Sequence, residues 1–255
     1  MLRAENISYQ KGAKFILKEI NWSVRQGERW VIFGLNGSGK TSLLSILATY
    51  QSTTRGNLYI KDEKLTKENI IYLRQQIGFA SSSFFDQYFV RENVLDIVLS
   101  GKSKGLGRTG DITPEDVREA KGILTEFGLK RKTQYPYDLL SRGQRQCVIT
   151  ARALIGNPDI LILDEPCEGL DISARLSLLQ RIEKIAMDKD KTIIYVTHHT
   201  DEILSFFEHA LLLKDGKIHT SGEIKKIFTD ENMTDFLGWE SKICWNNGYL
   251  NISLH

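Results

Sequence analysis

Eight residues constrain this 255-residue chain more than any others: Gly34-Leu35-Asn36-Gly37-Ser38-Gly39-Lys40-Thr41. They fit G-x-x-x-x-G-K-[ST] between an apolar run, Trp30-Val31-Ile32-Phe33, and a helix-like run, Ser42 to Ala48. A loop so placed between strand and helix turns backbone N–H groups and a helix N-terminus toward an anion. With this spacing it wraps the phosphates of a nucleoside triphosphate. Glycines let the main chain curl close to phosphate oxygens because no Cβ intervenes. Lys40 is a mobile point charge suited to the β- and γ-phosphates. Thr41 offers a hydroxyl oxygen to Mg²⁺, which takes hard oxygen ligands. Ser42 opens the helix and completes the candidate phosphate-binding set.

Bulk properties agree with an ordinary globular protein. Hydrophobic residues make up 41% and charged residues 26% of the chain, near the usual proportions. A net charge of +2 gives no reason to expect a nucleic-acid partner. The apolar runs are far shorter than a membrane span needs, and the first residues lack the apolar centre of a signal peptide. A cytoplasmic protein is expected. Cys147, Cys167 and Cys244 are too few and too scattered for a disulfide framework or a metal knot, so reduced thiols are expected, with Cys147 and Cys167 filling small apolar positions.

The fold class is α/β. Ile7 to Tyr9 and Phe15 to Val24 read as strands around a turn at Lys11-Gly12-Ala13. Thr53 to Gly56 reads as a loop, with a strand from Asn57 to Ile60 and another from Ile77 to Ala80. Val94 to Leu99 reads as a helix, and Gly101 to Gly110 as a basic, glycine-rich loop. Thr113-Pro114 starts a further helix that Gly128 ends. Two buried-strand runs follow, Ile160 to Leu163 and Thr192 to Val196, with an amphipathic helix from Ser173 to Met187 between them. Trp239 to His255 shows no assignable pattern.

The strand at Ile160 ends in Asp164-Glu165. Adjacent acids at the end of a buried strand are costly, unless the strand end is solvated or the acids have chemistry to do. Beside a phosphate loop, Asp164 would serve the Mg²⁺ shell and Glu165 would orient or deprotonate an attacking water.

Leu140-Ser141-Arg142-Gly143-Gln144 precedes a helix running from Cys147 to Ile155. This block resembles the LSGGQ signature of ATP-binding cassette (ABC) proteins. With the phosphate loop and the acidic pair in matching order, residues 1–228 resemble an ABC ATPase domain. That resemblance implies a P-loop NTPase core with a mostly parallel sheet, an N-terminal antiparallel β subdomain and a helical insert at about 84–157. Residues 229–255 are left as a C-terminal extension of unknown role. It implies ATP and Mg²⁺ as ligands and Tyr9 as an adenine-stacking side chain, unless Tyr9 is simply a strand-face aromatic. It makes His198 a switch histidine that contacts the γ-phosphate, and Glu168 to Asp171 a D-loop that crosses to a partner subunit. Ser141, Gly143 and Gln144 would face the phosphates held by a second copy, or a related domain, in a head-to-tail dimer. A transmembrane permease is the expected further partner, with this chain peripheral at the inner face of the cell membrane.

Two positions depart from the family pattern. Ser82 stands where a glutamine that touches Mg²⁺ or the attacking water is usual, a departure shared with some stand-alone cassettes associated with molybdate-type uptake. Arg142 stands where glycine is common, and is expected to point into solvent. The basic runs Lys102 to Lys104 and Lys130 to Lys132 are expected to be solvated faces. The expectation is an ATP-hydrolysing transporter subunit; the alternative is a soluble regulatory ABC ATPase acting on ribosomes or nucleic acid without a permease.

Overall fold

The computed structural model describes residues 1–89, 91–103, 111–246 and 248–254. The chain begins with β1 (Leu2–Lys11), β2 (Lys14–Val24), β3 (Arg29–Phe33), α1 (Lys40–Leu47), β4 (Arg55–Ile60) and β5 (Glu63–Lys64). Its middle holds α2 (Ile70–Gln75), β6 (Ile77–Ala80), α3 (Ser82–Phe85), α4 (Val94–Ser103), α5 (Pro114–Glu126), α6 (Arg142–Leu154), β7 (Ile160–Asp164) and α7 (Ile172–Ala186). It ends with β8 (Thr192–Thr197), β9 (His209–Lys214), β10 (Lys217–Glu223), α8 (Ile224–Ile227), α9 (Asp230–Leu237), β11 (Ser241–Asn246) and β12 (Tyr249–Leu254). The elements group into two compact units, Met1–Leu65 with Glu183–His255, and Thr66–Ile182.

In the first unit, β2, β1, β4 and β5 form an antiparallel sheet in that order. Its strands alternate between buried and exposed residues, as expected where one face meets water. β8, β3 and β9 run parallel, and β10 returns antiparallel beside β9. These central strands are nearly continuous apolar runs; Val31, Ile32, Ile194, Val196, Leu211 and Leu212 are fully buried. Such runs suit parallel strands covered on both faces. The register aligns Phe33 with Thr197 and with Leu212, so β3 and β8 end level where the phosphate loop leaves β3, and β9 runs on to Lys214. Arg55 and Gly56, expected in a loop, instead begin β4, where Arg55 pairs with Ser8 across a register shift in β1. The unpatterned tail forms the β11–β12 hairpin, with Leu250 fully buried and β11 packed on α9.

The second unit holds the parallel pair β6–β7, joined in register from Ile77 opposite Ile160 to Ala80 opposite Leu163. α4, α5 and α6 pack together, and α6 also packs on β6. α5 begins with the expected Thr113 cap and Pro114, strengthened by a capping box in which Asp116 returns a bond to the Thr113 backbone. Residues 104–110 of the expected basic loop lie outside the described residues. Gly101, Lys102 and Ser103 do not start it; they continue α4. Lys102 is exposed, as expected, and is also paired. Its ammonium lies 2.5 Å from Asp116, which, with the Thr113 N–H and hydroxyl, holds the Asp116 carboxyl down to about 2. Tertiary packing explains the longer helix. A Cβ on Gly101 would collide with the Arg152 carbonyl oxygen and sit 2.6 Å from Ile155 Cγ2, so α4 touches α6 backbone to backbone. Arg152 itself is 1% exposed; its guanidinium lies over the Phe85 ring at 4.3 Å and Nε donates to Ser100 Oγ at 3.1 Å. Gly101→Ala should therefore overpack this contact and destabilise the protein by about 1–3 kcal/mol. Urea unfolding of the variant against the parent checks this.

Candidate functional site

The phosphate loop is shaped from below by its own unit. Gly37 and Gly39 adopt φ of 81° and 102°, a region that side chains rarely occupy. Gly39 also lacks room, because a Cβ there would lie 2.9 Å from Leu17 Cδ2 and 3.1 Å from the Ile16 carbonyl oxygen. A Cβ on Gly34 would lie 2.6 Å from the Leu213 carbonyl oxygen. The β9–β10 turn grips the loop further: the Gly216 N–H donates to the Ser38 carbonyl at 3.0 Å, and the Gly216 carbonyl accepts from the Lys18 N–H at 2.8 Å.

That cradle fits a phosphate chain. α1 has no side-chain cap on its first turn and no acidic residue there, so nothing at that end opposes an anion at the positive end of the helix dipole. Ser38 Oγ is buried without a hydrogen-bond partner, an uncommon state for a polar atom. Lys40 is 6% exposed and donates to the carbonyls of Gly34 at 2.8 Å and Leu35 at 3.2 Å. Its ammonium is thus held over the loop. Leu35, Asn36 and Gly37 are exposed, and Thr41 and Ser42 are half-buried at the helix start. Tyr9 is half-buried on β1 and pairs with Leu17 of β2, the same residue that limits space at Gly39.

The end of β8, level with that of β3, carries the first unit's remaining candidate. β8 ends at Thr197, and His198 follows, half-buried, with its ring 4.1 Å from that of exposed His199.

In the second unit, β7 delivers Asp164, 5% exposed, and Glu165, half-buried. Glu165 has φ of 47°, a conformation that costs a non-glycine residue about 1–2 kcal/mol. Strain of this kind gathers at functional positions. The turn behind it is closed by the Glu168 N–H donating to the Glu165 carbonyl at 3.0 Å.

The hydroxyl that meets Asp164 belongs to Ser81, at 2.7 Å and fully buried. Ser82, the expected metal-side residue, donates instead to Gln146 Oε1 on α6. The residue string alone does not distinguish adjacent serines. Pairing does, since Ala80 opposite Leu163 places Ser81 beside Asp164.

At the start of α6, Ser141 and Gln144 form a capping box: Ser141 Oγ accepts from the Gln144 N–H, and Gln144 Oε1 accepts from the Ser141 N–H, each at 3.3 Å. Lys132 donates to the same Gln144 oxygen at 2.8 Å, so that lysine is engaged and not part of a purely solvated run. A Cβ on Gly143 would lie 2.8 Å from the Gly169 carbonyl oxygen. Arg142 is exposed as expected, yet its guanidinium pairs with Glu168 and its methylenes lie within 3.4 Å of where a Gly169 Cβ would be. The signature turn and the turn after the acidic pair are thereby locked side by side.

The cysteines are free. Burial, with the nearby Asp171 charge, pushes the Cys147 thiol up to about 11, which keeps it protonated and unreactive at neutral pH. Among the described residues no group of three or more His, Cys, Asp or Glu could hold a metal alone.

A strand–loop–helix phosphate cradle beside parallel strands defines a P-loop NTPase, of α/β class. The family model "ABC transporter" matches residues 17–168. The uncharacterized ABC transporter ATP-binding protein YlmA of Bacillus subtilis is 38% identical over 96% of this chain and 94% of its own length. The molybdate/tungstate import ATP-binding protein WtpC of Pyrococcus horikoshii is 30% identical over 95% of this chain and 69% of its own. Among solved structures, the dimeric post-hydrolysis state of the ATP-binding cassette MJ0796 bound to ADP and Pi superposes with a TM-score of 0.74 and 28% identity, covering 88% of this chain and 99% of that one. The chain belongs to the ABC transporter family. It is an ATP-binding, ATP-hydrolysing protein of that family.

Ser81→Ala should remove a buried hydrogen bond to a carboxylate, worth about 1.5–3 kcal/mol. It should lower unfolding stability by an amount in that range, and by more than Ser82→Ala, in chemical denaturation of the nucleotide-free protein.

Proposed function

We propose that this chain is the ATP-hydrolysing subunit of a transporter, working as a head-to-tail pair of cassettes beneath a transmembrane permease. The observation that carries the reading is the phosphate cradle, with its uncapped helix start and the buried, unpartnered Ser38 hydroxyl. In this reading the loop from Gly34 to Ser42 binds the phosphates through main-chain N–H groups, and Lys40 leaves its loop carbonyls for the β- and γ-phosphate oxygens. Tyr9 stacks on the adenine. Thr41 and Asp164 are the protein ligands of Mg²⁺, directly or through water, with Ser81 fixing the Asp164 carboxylate. When bound, Mg²⁺ neutralises charge on the β- and γ-phosphates. Glu165 orients the attacking water and accepts its proton as the water oxygen bonds to the γ-phosphorus and the bond to ADP breaks. His198 steadies the γ-phosphate.

Ser141, Gly143 and Gln144 act on the nucleotide of the second copy. The capping box leaves the Ser141 hydroxyl hydrogen available while holding its oxygen toward the helix, so the serine can donate to a phosphate without unfolding the turn. ATP joins the pair and its hydrolysis parts it, a population shift driven by ligand. Residues 1–228 form the cassette, and 229–255 an extension. The working location is the cytoplasmic face of the membrane; among the described residues no helix is long and apolar enough to cross a membrane.

Glu165→Gln keeps the side chain's shape and removes its basicity. The variant should bind ATP as the parent does, hydrolyse it at least about 100-fold more slowly, and elute as a dimer with ATP and as a monomer without it on size-exclusion chromatography. Normal turnover by this variant would refute the role given to Glu165.

A further inference from the structure

Glu202 is a buried acid to which neither the sequence motifs nor the reaction above assigns a task. It is 2% exposed. Its Oε2 accepts hydrogen bonds from the Tyr195 hydroxyl at 2.8 Å and the Thr197 hydroxyl at 2.7 Å. Tyr195 and Thr197 are themselves buried on β8. Burying a carboxylate is unfavourable, and two hydroxyl donors offset this without requiring a carboxylate at that place.

The geometry around Thr197 supplies a reason. A hydroxyl has one hydrogen to give. By donating it to Glu202, Thr197 Oγ1 turns a lone pair to the His199 backbone N–H, which donates to it at 2.9 Å. The peptide linking His198 to His199 is thereby held at its nitrogen. A side chain with no acceptor there would leave the Thr197 hydrogen to the His199 carbonyl, 3.4 Å away. The turn also closes on itself, with the Glu202 N–H donating to the His199 carbonyl and the Ile203 N–H to the Thr200 carbonyl. β12 packs against this turn, and a Cβ on Gly248 would lie 3.3 Å from Ser205. The C-terminal hairpin therefore keeps the segment carrying Glu202 in place.

We propose that Glu202 is a positioning residue for His198, acting through the Thr197 hydroxyl. It sets the orientation from which His198 works. The proposal rests on the reading of His198 as the γ-phosphate contact.

Steady-state ATP hydrolysis by the full chain tests both layers. His198→Ala tests the underlying reading alone, and should reduce kcat by about tenfold or more. Glu202→Ala should reduce kcat by a similar factor while KM for ATP stays within about twofold. Glu202→Gln, which keeps an acceptor, should recover part of the loss. Thr197→Val should behave like Glu202→Ala, and Thr197→Ser like the parent. Combined with His198→Ala, Glu202→Ala should add no more than about twofold, because the two act as one unit. Full turnover by Glu202→Ala, or an equal slowing by it with and without His198, overturns the proposal and leaves the role of His198 standing. Full turnover by His198→Ala overturns both. If Glu202→Ala does not fold, the Thr197→Val and Thr197→Ser pair decides: equal turnover by the two refutes the proposal.

Discussion

The tight curl of main chain from Gly34 to Lys40 is the constraint on which the rest depends. Backbone groups reach a ligand only where side chains stand clear. The surroundings enforce that shape. Gly39 is pressed on β2, Gly34 on β9, and Ser38 is held by the β9–β10 turn. Parallel strands in register, Phe33 level with Thr197 and Leu212, set the floor from which the loop rises. Buried apolar strands thus serve a polar purpose. Their rigidity fixes donors that would otherwise lose entropy on ordering around an anion.

The second unit obeys a different economy. Its acidic strand end and its signature turn are joined by short polar links and not by apolar packing alone. Ser81 reaches Asp164, Ser82 reaches Gln146, and Arg142 reaches Glu168. Gly143 and Gly169 approach closely enough to exclude any side chain between them. Movement at the beginning of α6 is therefore felt at the turn that follows Glu165. The exposed Arg142–Glu168 pair contributes little stability by itself, so its value lies in keeping two turns in register.

Much of this was legible in the residue string. The phosphate loop, the acidic pair, the Thr113 start of α5 and the buried strands each combine local chemistry with a fixed period, and local rules suffice for them. What escaped was decided by distant partners. Gly101 looks like loop punctuation until α6 is seen to need a residue without a side chain there. Ser81 and Ser82 are chemically identical, and only the β6–β7 register separates their tasks. Lys102 and Lys132 read as surface charge, yet each finds a partner on another element. Glu202 lies in a polar stretch with no period. The tail from Trp239 has alternation too weak to announce a hairpin, because β12 is mostly exposed and buries Leu250 alone, while the residue β11 buries is the polar Ser241.

The left-handed backbone at Glu165 sets durability against turnover. Glycine would relax that conformation and, by this measure alone, yield a sturdier molecule. It would also erase the carboxylate on which catalysis is proposed to rest. Selection for heat resistance alone would thus draw position 165 toward an inert scaffold.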